Sequence, residues 1–119
     1  MKYVLMFCGT RAQQQAWEEL SEEARAAQYD QVAGWFAEHR AKLGASNQLQ
    51  PPQTATTVRF SDAGEPIIHD GPFLEGNEVI GGYAEVTVED LDEALRIAKT
   101  WPARGTVEVR PVMAIDQAQ

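Results

Sequence analysis

The ionisable side chains best suited to catalysis are found in the segment Ile67-Ile68-His69-Asp70-Gly71-Pro72-Phe73. Asp70 stands before a glycine and a proline, and the apolar ring of Phe73 follows them. A carboxylate beside a non-polar wall can have a raised pKa and exchange protons near neutrality. Asp is equally suited to fixing a turn by accepting hydrogen bonds from backbone N–H groups. The sequence leaves both roles open for Asp70, and the two are compatible.

Neither histidine is an obvious catalytic partner for this carboxylate. His69 is adjacent to Asp70, but neighbours on a strand point to opposite faces, so a dyad requires a kink there. Histidine titrates near neutral pH, and the alternative for His69 is a partly exposed strand residue. His39 follows Glu38 late in a predicted helix, where it suits the negative end of the helix dipole and is assigned a structural role.

Further candidate ligand contacts flank the same region. Arg59 ends a predicted strand and could bind an anionic substrate or pair with Asp70, with a structural ion pair as the alternative. Tyr83 follows Gly81-Gly82 and could donate its hydroxyl into a pocket. The glycine pair itself indicates a β-bulge or a close approach of strands. The hypothesis is therefore a catalytic Asp70 with four substrate-binding residues: His69, Arg59, Phe73 and Tyr83.

Nothing in the sequence indicates a metal or a cofactor. The chain has two histidines and one cysteine, and their positions give no metal-ligand spacing. Cys8 lies in an apolar run and is interpreted as a small buried hydrophobe rather than a reactive thiol. A single cysteine cannot form an intrachain disulfide, so nothing suggests an oxidising compartment.

Length and charge restrict the class of protein. A chain of 119 residues fits one domain, which we place at residues 1–115, with a polar tail at 116–119. The formal net charge of −8 argues against binding to nucleic acids or to an anionic membrane surface. The N-terminal apolar run is too short to span a bilayer and lacks the features of a signal peptide. We therefore expect a cytoplasmic protein.

The hydrophobic pattern predicts the strands and helices that carry these residues. It predicts strands at residues 2–7, 54–60, from 67, 79–88 and 106–112. One helix is predicted from an N-cap at Ser21 to Leu43, closed by Gly44, and a second from Glu89 to Trp101. The three tryptophans lie on or beside these helices and are assigned to packing. Residues 10–15 and 45–52 are predicted to be loops.

The order β-α-(β-β)-β-α-β predicts an α+β fold. It corresponds to a ferredoxin-like split βαβ protomer with an extra hairpin. Its helices should cover one face of an antiparallel sheet. Because an uncovered and partly apolar sheet face commonly meets a second copy across a two-fold axis, we expect a homodimer.

Several segments occur in the order found in a known family. They are Met1-Lys2-Tyr3, Gln50-Pro51-Pro52-Gln53-Thr54-Ala55-Thr56-Thr57-Val58-Arg59, Asp70-Gly71-Pro72-Phe73, Gly81-Gly82-Tyr83 and Val107-Glu108-Val109-Arg110-Pro111. Together they make the chain resemble the YCII-related proteins of the DGPF branch over nearly its whole length. The resemblance implies a bacterial protein, a dimeric α/β barrel of ferredoxin-like protomers, and a gene often near that of an extracytoplasmic-function sigma factor.

The resemblance implies less about activity. A few YCII-like relatives act on small aromatic or chlorinated molecules with a paired His and Asp, whereas most have no assigned reaction. Asp70 is the position carried over as an acid–base residue. The histidine of the enzyme-like relatives lies in the first helix, where this chain has Tyr29. Asn77 stands where many DGPF relatives have a lysine, so a positively charged ligand contact is missing.

These observations lead to one main hypothesis and two alternatives. The main hypothesis is an acid–base pocket for a small organic molecule, lyase-like or dehydrochlorinase-like, centred on Asp70. The alternatives are a non-catalytic dimer that binds a small ligand, and a protein-interaction module linked to sigma-factor regulation. Because the sequence offers no complete nucleophile–base pair, it does not decide whether the protein is an enzyme.

Overall fold

The computed structural model describes residues 1–73 and 76–114, so the polar tail predicted at 116–119 lies outside the described residues. Within the described ranges the chain folds into strands, helices and a short 3₁₀ turn at Pro52–Thr54. In chain order the elements are β1 (Lys2–Thr10), α1 (Arg11–Glu18), α2 (Glu22–Glu38), β2 (Leu43–Gln48), β3 (Thr56–Phe60), β4 (Pro66–Asp70), β5 (Glu78–Thr87), α3 (Leu91–Ala98) and β6 (Thr106–Pro111).

The strands form two separate sheets. The main sheet has four antiparallel strands in the order β2-β5-β1-β6, and β3 and β4 form a two-stranded hairpin of their own. With the hairpin set aside, two βαβ units share the main sheet, an arrangement compatible with a ferredoxin-like fold. The predicted α+β class with an extra hairpin is confirmed.

The helices cover one face of the main sheet. Alternate residues of β1, Tyr3 and Leu5, are 4% and 0% exposed and pack with Val86 of β5, Trp35 of α2 and Ile97 of α3. The intervening residues point to the other side of the sheet. We call this other side the open sheet face; its central side chains, each half-buried, are Val4, Met6, Cys8 and Tyr83.

Side-chain caps begin α2 and α3, and the cap of α2 is the predicted Ser21. The Ser21 hydroxyl accepts a hydrogen bond from the Ala24 N–H, and Glu22 and Glu23 occupy the first turn of α2. Asp90 caps α3 in the same way by accepting from the Glu93 N–H. These caps satisfy backbone donors that a helix start leaves free.

Residues 10–15 were predicted to be a loop, and that prediction is wrong because residues 11–15 belong to α1. Thr10 accepts from the Gln13 N–H while the Gln13 side chain accepts from the Thr10 N–H, which forms a capping box. None of the residues in α1 is fully buried. The helix therefore lacks the apolar stripe by which helices are recognised in a sequence.

The end of the first predicted helix was also placed wrongly. Helix α2 ends at Glu38, with His39 as its C-cap, instead of continuing to Gly44. Leu43–Gln48 forms β2 at the edge of the main sheet, within what was predicted to be helix and loop. Because β2 is largely exposed and its register shifts between Leu43 and Ser46, it shows no regular alternation of apolar residues.

The hairpin projects from a flat molecule. The radius of gyration is 16.7 Å, whereas a compact chain of this length has about 13–14 Å. The principal extents are 48 × 48 × 19 Å. We call residues 56–70, which form β3, its turn and β4, the arm. No helix in the described ranges is long and apolar enough to cross a membrane.

Candidate functional site

A cavity of about 510 Å³ lies between the main sheet and the helices α1 and α2. Its floor is formed by the end of β1 and the start of β5, and the loop 101–105 after α3 closes one side. A cavity of this size is typical of sites for small organic ligands.

A fixed cluster of aromatic rings forms the inner wall. Phe7 stacks on Trp101 with 3.8 Å between ring centroids and an angle of 16°. Both rings meet the edge of Trp35, whose indole N–H donates to the Thr100 hydroxyl at 3.0 Å. Since Trp35 is 3% exposed and anchored by this hydrogen bond, the rings that line the cavity are held in one arrangement.

The outer wall joins α1 to α2. Trp17 of α1 meets Tyr29 of α2 edge-to-face, with centroids 5.2 Å apart. The Arg25 guanidinium lies 5.9 Å from the Trp17 ring and donates through Nη2 to the carbonyl of Leu20 at 2.8 Å. These contacts fasten the polar helix α1 beside the cavity. The Nε atom of Arg25 is buried with no hydrogen-bond partner in the described part of the chain.

Tyr83 is positioned by the glycine pair that precedes it. Phe7 pairs with Gly82 and Cys8 with Ile80, so Gly81 is the extra residue of a β-bulge. A Cβ at Gly82 would lie 2.8 Å from the Asn47 carbonyl oxygen, so only glycine lets β2 approach this closely. The bulge and the close approach predicted from the sequence are both confirmed. The Asn47 amide donates to the Tyr83 hydroxyl at 2.9 Å.

Polar side chains at the rim are mostly amides, with few charges. The amides of Gln14, Gln28 and Gln48 line the cavity. The charged lining residues are Glu18, Arg25 and Arg104, and the Glu18 carboxylate accepts a hydrogen bond from Gln53 at 3.0 Å. The cavity thus offers hydrogen bonds, two positive charges and one negative charge beside its aromatic surfaces.

Cys8 is half-buried at the end of β1, beside the cavity, and its side chain lies on the open sheet face. Partial burial raises the pKa of its thiol, and the negative charges of Glu108 and Glu78 raise it further. Because the thiolate is the reactive form, a raised pKa makes Cys8 a poor nucleophile at neutral pH. This agrees with the interpretation of Cys8 as a small hydrophobe.

Of the five residues predicted for the site, only Tyr83 borders this cavity, and its side chain lies on the open sheet face; the others lie on the arm or just after it. Arg59 Nε is 3.4 Å from His69 Nε2, and the Arg59 guanidinium lies 5.0 Å from the Phe73 ring centroid. Asp70 is exposed at the end of β4, and its carboxylate forms no hydrogen bond or ion pair with the residues the structure describes. Their role in a site stays a prediction.

The Asp-Gly-Pro-Phe segment closes the base of the arm through its backbone. The Gly71 N–H donates to the Ala55 carbonyl at 2.8 Å, and the Thr57 hydroxyl donates to the Gly71 carbonyl at 2.6 Å. Gly71 has a φ of 106°, a conformation that glycine adopts without steric cost. The turn is therefore fixed by Gly71 and Thr57 and not by the Asp70 side chain.

Several cavity residues were not predicted as site residues. Trp17 and Trp101 were assigned to packing, and Tyr29 was noted only as the replacement of a histidine. Arg25 was not noted at all. Because these residues lie on separate elements and share no spacing pattern, only the fold brings them together. In residues 1–73 and 76–114, no group of three or more His, Cys, Asp and Glu residues could hold a metal ion.

Comparison with family models matches the YCII-related domain over residues 1–116. The chain belongs to the YCII-related family. It is similar to an uncharacterised protein of Rhizobium meliloti (strain 1021), with 34% identity over 116 residues, or 94% of this chain and 92% of that protein. Since that relative has no assigned activity, the cavity of this YCII-related protein must be interpreted from its own residues.

Proposed function

We propose that this YCII-related protein binds a small planar organic molecule in the aromatic cavity. The observation that carries the proposal is the combination of flat apolar surfaces from Phe7, Trp17 and Trp101 with hydrogen-bonding amides at the rim. Aromatic side chains favour planar ligands because offset and edge-on ring contacts add to the gain from burying apolar area. The few polar groups would fix the orientation of the ligand.

The charges of the lining favour an acidic group on that ligand. Arg25 forms no ion pair within the described ranges, and Arg104 contributes a second positive charge at the rim. These charges belong to a protein whose formal net charge is −8. An aromatic acid would place its ring against the tryptophans and its carboxylate near Arg25.

Intrinsic tryptophan fluorescence provides the test, with 2-naphthoate as the probe and 2-naphthamide as its neutral counterpart. We expect saturable quenching by 2-naphthoate and weaker binding of the amide. Tyr29→Leu should weaken binding about tenfold, because it removes one aromatic wall. Tyr29→Phe keeps the ring and should bind like the wild type. Equal binding by Tyr29→Leu and wild type, or no saturable quenching, would contradict the proposal.

Acid–base chemistry at Asp70, of the lyase or dehydrochlorinase type, is a second proposal. It is supported by the resemblance to the DGPF branch and by a carboxylate that is exposed and unpaired among the described residues. Because Asp70 is outside the cavity of its own chain, it would have to act on a ligand held by another copy. Asp70→Asn should then abolish turnover and leave ligand affinity unchanged.

We also propose that the protein is a homodimer that buries the open sheet face. Val4 and Met6 are only half-buried there. The charged side chains around them pair with one another: Lys2 with Glu85 at 3.2 Å, and Arg110 with Glu108. Burying this face would therefore leave no unpaired charge among these residues. A link to sigma-factor regulation is supported by the DGPF resemblance alone.

A further inference from the structure

One side of the arm is an exposed apolar surface. Val58 lies opposite Ile68, and Phe60 lies opposite Pro66. Directly opposed residues point to the same face of a hairpin, so these side chains form one continuous patch. Val58, Ile68 and Phe60 are 49%, 69% and 71% exposed. We call this patch the apolar arm face.

The opposite face of the arm carries most of its polar side chains. It carries Thr57 opposite His69 and Arg59 opposite Ile67. The arm is thus amphipathic, although within the described part of the chain β3 and β4 pack extensively only on each other. An isolated two-stranded hairpin is marginally stable in water, and a contiguous apolar patch marks an interaction surface.

We infer that the apolar arm face packs on the open sheet face of a second copy of this chain. The inference rests on the homodimer proposed above and names the surface that forms it. The open sheet face is suited to receive the arm because Val4, Met6 and Cys8 supply a half-buried apolar strip. Across a two-fold axis each copy would give one arm and receive one.

This docking also carries Asp70 into the interface. The pair Thr56–Asp70 is two positions from Val58–Ile68, so Asp70 lies on the same face of the arm. On the receiving copy, the Tyr83 hydroxyl accepts from Asn47 and keeps its own hydrogen to donate. Asp70 of one copy would accept that hydrogen bond on the open sheet face of the other copy.

Two neighbouring isoleucines provide a matched test. Ile68→Asp places a charge on the apolar arm face, whereas Ile67→Asp places the same charge on the opposite face. We expect light scattering after size exclusion to show a dimer for the wild type and for Ile67→Asp, and a monomer for Ile68→Asp. A dimeric Ile68→Asp protein would overturn the arm contact and leave the homodimer standing. A monomeric wild type would overturn both.

A second measurement does not depend on the stability of these variants. Ile68→Cys introduces a thiol on the apolar arm face, and the open sheet face carries the native Cys8, so a bifunctional maleimide should join two chains. Ile67→Cys, the wild type, and Ile68→Cys combined with Cys8→Ala are the controls and should give much less covalent dimer. A crosslink confined to single chains, or equal yields in all four proteins, would overturn the inference.

Discussion

Single side chains hold the walls of the cavity in a fixed arrangement. Trp35 does not reach the ligand space, yet its N–H bond to Thr100 and its edge contacts hold Phe7 and Trp101 in place. Arg25 likewise holds the outer wall by donating to the carbonyls of Glu18, at the end of α1, and of Leu20. A ligand would therefore meet preformed surfaces and lose little affinity to side-chain ordering.

The thiol of Cys8 provides a prediction that depends on pH. Burial, Glu108 and Glu78 raise its pKa, so the thiolate forms at higher pH in the folded protein than in the unfolded one. We expect alkylation by iodoacetamide, followed by mass spectrometry, to be slower in the folded protein and its pH profile to be displaced upward. Glu108→Gln should move the profile back towards that of the unfolded chain. Coincident folded and unfolded profiles would contradict the prediction.

Residue-level prediction from the sequence succeeded where a local rule applies. Gly81-Gly82 indicated a bulge and a close strand approach, because those features demand the absence of a side chain. The aromatic cavity could not be predicted in this way. Trp17 and Tyr29 meet across two helices, and nothing in the sequence near either residue specifies that contact.

Among the helices and strands, the ones that could be predicted from the sequence are those whose buried apolar residues are regularly spaced. Helix α3 and strand β5 were predicted close to their observed bounds because each presents alternating or helical apolar positions to the core. The elements that were missed, α1 and β2, are held mainly by hydrogen bonds: the capping box of Thr10 and the edge pairing with β5. Propensity and periodicity carry little information about such elements.

Helix α2 contains a glycine whose replacement by alanine should stabilise the protein. Gly34 lies in the middle of α2, and a Cβ there would have no neighbour within 4 Å. Gly34→Ala should raise the free energy of unfolding by about 0.5–1 kcal/mol, because alanine loses less backbone entropy in a helix. Urea denaturation followed by circular dichroism measures the change.

Gly71→Ala is the matched control for that substitution. A Cβ at Gly71 would also have no neighbour within 4 Å, but its φ of 106° disfavours any L-residue with a side chain. We expect Gly71→Ala to lower stability while Gly34→Ala raises it. If both variants shifted stability in the same direction, backbone conformation would not be the cause.

At the scale of the whole molecule, folding and association should be linked. The arm and the open sheet face leave apolar surface exposed in one chain, and burying it between copies would stabilise the folded state by mass action. We expect the melting temperature to rise with protein concentration for the wild type and to be constant for Ile68→Asp. Calorimetry over a wide range of concentrations would show this. A constant wild-type melting temperature would argue against the linkage.

The thickness of 19 Å, one sheet layer and one helix layer, also affects how the protein moves through solvent. A plate that is 48 Å wide experiences more friction than a sphere of the same mass. With the arm of each copy on the open sheet face of the other, two such plates would be at least about 38 Å thick, twice 19 Å, and therefore much closer in thickness to their width. Association would then make the particle more nearly spherical, and its sedimentation coefficient would increase by more than the doubling of mass alone accounts for.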